Sequence, residues 1–105
     1  MNKLTEQQIK KIYQRVHIKG NELVLIDISD RKDISMEENN ANIYFLNQNS
    51  EIIWQIKAKN TAFDRDMFTS MEFNLQGELI ASRFSGFEYV VDLETGIAKV
   101  SGWSK

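Results

Sequence analysis

No proline interrupts this chain, and from residue 21 onward short runs rich in Ile, Val, Phe, Tyr and Trp alternate with clusters of Gly, Asn, Asp and Ser. Proline cannot donate to a ladder of main-chain hydrogen bonds, so its absence leaves every run free to pair as a strand. The turns must come from residues that accept positive φ or bond their own backbone. Runs at 22–29, 42–46, 52–58, 67–75, 78–84, 87–93 and 97–103 fit that scheme and predict a mainly β fold, an antiparallel meander of about seven to eight strands. Such a meander forms either a curled sheet or a small barrel.

Three of the turns share one chemistry. Asn47, Asn74 and Asp92 each end a run, with Ser50, Gly77 or Gly96 just before the next, as in a tight turn entered through an Asx hydrogen bond. Their separations differ, so these are similar hairpins and not repeats of one unit.

Ahead of the strands, residues 4–16 set Leu4, Ile9, Ile12, Tyr13 and Val16 near helical spacing, and Thr5 with Gln8 forms a capping-box pattern. An N-terminal helix that covers one open side is expected. Its end is left open, because Val16-His17-Ile18 before Lys19-Gly20 also suits a strand. Residues 29–41 lack apolar periodicity and read as a long polar loop; residues 58–66 read as a second polar connection.

At 105 residues and 12.2 kDa the chain predicts a single domain over residues 1–105. The size scalings bury roughly two-thirds of the unfolded surface, enough for one modest core. No run reaches the ~18 apolar residues of a spanning helix, nor does the first stretch resemble a secretion signal, so a cytoplasmic protein with no membrane partner is expected. There is no cysteine, and hence no disulfide or thiolate.

Chemistry-bearing patterns are sparse. His17 is the sole histidine, and nothing in the sequence sets it beside a nucleophile. Asp27, Ser29 and Glu38 match the first, third and twelfth positions of a calcium loop, but Arg31 and Lys32 stand where a ligand and a glycine are needed. The glycines lie singly, which argues against a phosphate-cradling loop. No metal, no cofactor and no catalytic residue are therefore assigned, and a non-enzymatic role is expected. Nucleic acid is not an expected partner either. Residues 41–105 carry plentiful aromatics, but six bases stand against eight acids, whereas single-strand binders need a basic groove.

Protein recognition remains the best-supported class. Asp27, Asp30, Asp33, Glu37 and Glu38 against Arg31 and Lys32 make the 27–38 stretch locally acidic, near -3, which suits steering toward a basic partner. Most aromatics are expected in the core, with Trp54 and Trp103 as anchors at the surface, since Trp is enriched at binding hot spots. The expected partner-binding set is thus Asp30, Asp33, Glu37, Glu38, Trp54 and Trp103.

The segments NIYFLNQNSEIIWQIKA and FSGFEYVVDLETGIAKVSGWSK together resemble small bacterial immunity or accessory proteins encoded beside secreted toxins, and the likeness spans roughly residues 42–105. The hairpin about Asn47 is also similar to strand pairs of quinoprotein-type propellers, although a whole propeller does not fit this length. The first resemblance implies a compact sheet protein that binds one cognate toxin domain. The leading expectation is accordingly an immunity protein that occludes or distorts the toxin's active site, and for a nuclease-like toxin with a basic substrate cleft the acidic stretch 27–38 takes the place of substrate phosphate. The resemblance supplies no catalytic residue. The rival expectation is a small-molecule-binding β-barrel. A homodimer through a sheet edge is a further expectation, because edges without proline are little protected from pairing.

Overall fold

The computed structural model describes residues 2–28 and 35–103. Two four-stranded antiparallel sheets follow one another along the chain. The first contains β1 (Ile12–Ile18), β2 (Asn21–Ile26), β3 (Ile43–Leu46) and β4 (Ile52–Gln55) in that order. The second contains β5 (Phe68–Phe73), β6 (Leu79–Arg83), β7 (Phe87–Val91) and β8 (Ala98–Trp103), also in sequence order. The fold is mainly β, as the turn spacing predicts, but the sheets do not close into a barrel. The polar connection through residues 58–66 separates β4 from β5, so the meander breaks into two sheets there.

Alternation within the strands sets the layers. Leu23, Leu25, Ile43, Phe45, Trp54 and Ile56 of the first sheet share one core with Phe68, Met71, Leu79, Ala81, Tyr89, Val91 and Ala98 of the second. Their sequence neighbours Val24, Ile26, Tyr44 and Leu46 face the other way and form a smaller cluster with Leu4 and Ile28. β2 and β3 are therefore apolar on both faces, which explains why their runs are almost unbroken hydrophobic sequence.

The hairpins follow the predicted chemistry. Asn47 Oδ1 accepts from Asn49 N and Glu51 N, and Asn74 Oδ1 accepts from Gln76 N and Glu78 N. Asp92 Oδ1 accepts from Glu94 N. Each turn then passes through positive φ at Ser50, Gly77 or Gly96.

The N-terminal helix is much shorter than expected. α1 (Glu6–Lys10) has the predicted capping box, with Gln8 N bonding Thr5 Oγ1 and Thr5 N bonding Gln8 Oε1, but the chain turns at Lys11 and enters β1. Ile12, Gln14, Val16 and Ile18 are half-buried while Tyr13, Arg15 and His17 are exposed, a period of two that coincides with helical spacing at Ile9, Ile12, Tyr13 and Val16. Pairing with β2 decides between them. α1 itself buries no residue; Leu4, just before it, covers the outer face of the first sheet.

The polar stretch 29–41 also differs. α2 (Met36–Asn40) occupies the end of the expected 29–41 loop, because Ser35 Oγ accepts from Glu38 N and Glu37 and Glu38 sit in the first turn, where negative charge favours a helix. No helix among the described residues is long and apolar enough to cross a membrane.

Candidate functional site

Each four-stranded sheet has two edges, and the second sheet treats its two differently. Along β5 the edge is sealed by amide side chains from the first sheet. Asn42, buried, donates Nδ2 to Phe68 O at 2.9 Å and to Ile26 O at 2.8 Å, while its Oδ1 accepts from Phe68 N at 2.8 Å. Gln14 repeats the device, with Nε2 to Met71 O at 2.6 Å and Oε1 accepting from Met71 N at 3.1 Å. A side-chain amide offers one donor group and one acceptor in the same plane, so each replaces a peptide of a neighbouring strand.

The β8 edge is closed only at its start. Lys57 N donates to Gly96 O and Ala98 N donates to Lys57 O, both at 2.8 Å, forming a short parallel bridge to the chain leaving β4. Gly96 fits here because it lies flat against Trp54: a Cβ would stand 2.5 Å from the indole ring. Beyond Ala98 no described segment pairs with the outer side of β8. Since Ala98 N–H points outward, the alternation of an antiparallel pair turns the Val100 peptide groups outward too.

Beside this edge the two walls diverge around a cleft of about 650 Å³. Ala58, Tyr89, Ile97, Ala98 and Val100 supply its apolar lining, and Lys57, Lys59 and Lys99 stand around it. Val100 pairs with Tyr89 and Trp103 with Phe87, so Val100 and Trp103 share the inner face of the sheet, yet they are 61% and 59% exposed. Such a row would be core if the first sheet extended over it. The Trp103 indole is steadied by Nε1 donating to Ser85 O at 3.1 Å.

Arg83 holds the walls together from behind. Its guanidinium, buried, lies 4.8 Å from the Phe68 ring centre and 5.0 Å from that of Tyr89. It donates to Tyr89 Oη at 2.7 Å, Lys59 O at 2.8 Å and Asn40 O at 3.2 Å. No described carboxylate makes an ion pair with it, and Nε has no hydrogen-bond partner. This buried cation is thus held by aromatic rings and neutral oxygens. Next to it Asp66, also buried, is satisfied locally by Ser85 N, Ser85 Oγ and Thr61 Oγ1.

A family model, a domain of unknown function designated DUF7957, matches residues 4–103. The chain belongs to the DUF7957 family. No curated protein and no solved structure matches it. In this DUF7957 chain the match spans both sheets, from Leu4 to Trp103, and so includes both edges of the second sheet.

Of the residues expected from sequence to bind a partner, the described ones do not form one surface. Asp30 and Asp33 lie outside the described residues. Glu37 is exposed on α2, whereas Glu38 is half-buried there, close enough to Tyr44 to help hold its phenol above the ordinary value of 10.0; burial of the ring is the larger cause. Trp54 is not a surface anchor. It is buried against Phe45, ring centres 5.4 Å apart, with Nε1 donating to Leu93 O at 2.8 Å. Trp103 is exposed, as expected, and lies on the face that carries Val100. His17 is exposed on β1, 3.4 Å from Glu22, and no group of three acids or histidines among the described residues is placed to hold a metal.

Sequence reasoning missed Lys57, Lys59, Lys99 and Val100. The signal lay in the last run, where Lys99, Val100 and Ser101 alternate polar and apolar residues on a strand with a partner on one side.

Proposed function

We propose that this chain is a non-enzymatic protein-binding module and that its binding surface is the cleft beside β8. The observation that carries the reading is the cleft itself: about 650 Å³, apolar within and surrounded by three lysines, next to a strand edge with no partner among the described residues. Exposed apolar rows beside polar rims mark interaction sites in soluble proteins. The role implied by the resemblance, a cytoplasmic bacterial immunity protein that blocks a cognate toxin, needs affinity and shape, not chemistry, and an apolar cleft rimmed by lysines supports that reading. The acidic stretch, represented here by Glu37 and Glu38, is the competing surface.

Capture of partners from native cells separates these surfaces when three chains are compared. A stoichiometric protein held by the wild type and by a Glu37→Gln/Glu38→Gln variant, but lost with Lys57→Glu/Lys99→Glu, supports the cleft. Loss with the acid variant alone moves the interface to α2 and contradicts the cleft reading.

The cleft volume also lies within the range occupied by small ligands, which favours as second reading an amphipathic organic anion in place of a protein. On that reading an anion copurifies with the wild type and no protein partner is retained. The ligand would sit beside one sheet edge, and not in a barrel lumen.

A further inference from the structure

Resting on the protein-binding reading above, we propose that β8 recognises its partner by strand addition, accepting an extended segment that alternates acidic and apolar residues.

Three independent features specify that occupant. The outward peptide groups of Val100 need a donor and an acceptor, which an extended main chain supplies and a helix, with its backbone bonded internally, does not. Side chains of an added strand point alternately to the two faces of the sheet, so every second residue meets the inner face, where Val100 and Tyr89 line an apolar cleft. The remaining requirement is negative charge, since Lys57, Lys59 and Lys99 surround the cleft.

The same charges disfavour a second copy of this chain. Pairing two β8 strands across a two-fold axis would bring both sets of three lysines together, and like charges across an interface oppose association. The bridge between Lys57 and Ile97, in which Ala98 N donates to Lys57 O, blocks the start of β8, so an added strand pairs from Val100 toward Trp103. The single-residue bulge that shifts the β7–β8 register after Val100 limits the addition to a short segment.

The test uses the intact chain and three synthetic peptides: one alternating Val and Glu, one alternating Val and Lys, and the Val–Glu peptide with alternate peptide nitrogens methylated. Amide exchange at Val100 and Trp103 fluorescence are followed. The expected result is protection of Val100 by the Val–Glu peptide alone, weakened about tenfold by Lys57→Glu/Lys99→Glu and weakened by salt. Val100→Pro, which removes an outward N–H, should abolish binding, while Val100→Ala should retain it; a thermal melt establishes that both variants are folded. Equal binding of the methylated peptide would overturn strand addition, and equal binding of the Val–Lys peptide would overturn the charge assignment. Failure of every peptide to protect Val100 would also overturn the proposal. The broader reading falls separately, if no natural protein partner shows sensitivity to the cleft variant. Self-association that protects Val100 in the free chain would assign the edge to a second copy and refute an acidic partner.

Discussion

The β5 and β8 edges of the second sheet begin as equivalent problems, since each presents unpaired N–H and C=O groups along one side, and they receive opposite treatments. At β5, Asn42 and Gln14 bond the outward peptides of Phe68 and Met71 at both donor and acceptor. At β8 one bridge at Ile97 is followed by an edge that no described segment covers, with exposed apolar side chains and lysines beside it. An edge strand is a template for pairing, and proteins ordinarily blunt it. The contrast teaches that this sequence has the means to close an edge and uses it on one side only.

The largest expected effect lies on the closed side. Asn42→Ala removes the partner of three buried main-chain groups and should destabilise the fold by about 3 kcal/mol. Urea unfolding would report this as a lower midpoint at unchanged slope. A loss below about 1 kcal/mol would mean that the amide does not seal the edge.

Next comes the point where β8 is anchored. Gly96→Ala introduces a Cβ against Trp54 at a residue with φ of 78°, and should cost about 2 to 3 kcal/mol through backbone strain and overpacking. The fluorescence of the folded variant should show reduced burial of the indole. Gln14→Ala, at a half-buried site, should cost about 1 to 2 kcal/mol and should raise amide exchange at Met71 more than at Phe68.

The smallest effect belongs to the open side. Val100→Asp replaces a largely exposed side chain and should change stability by no more than about 0.5 kcal/mol. A clearly larger loss would show that the Val100 row is structural, erasing the distinction between the edges.

Much of this architecture was legible in the sequence because turns are local. Asn47 and Asn74 fix their hairpins through side-chain bonds to residues two and four positions on, and Asp92 through one to the residue two positions on, and a chain without proline has little to oppose the strands between them. The length of α1 was not legible, since Ile12, Tyr13 and Val16 satisfy both a helical and an alternating pattern and only pairing with β2 chooses. The site was less visible still. Asn42 and Gln14 read as ordinary polar residues until the partners 26 and 57 positions away are known. Trp54 was expected at the surface on composition, whereas Gly96, 42 positions later, provides the flat surface that buries it.

Residue-resolved amide hydrogen exchange on the free chain tests the central contrast most directly. The account predicts that Phe68 and Met71, whose N–H groups are bonded to side-chain oxygens, exchange slowly, at rates near those of the core strands, while Val100 exchanges at rates close to an unstructured amide. Slow exchange at Val100 in the free chain, or equally fast exchange at all three, would contradict the claim that one edge is sealed and the other open.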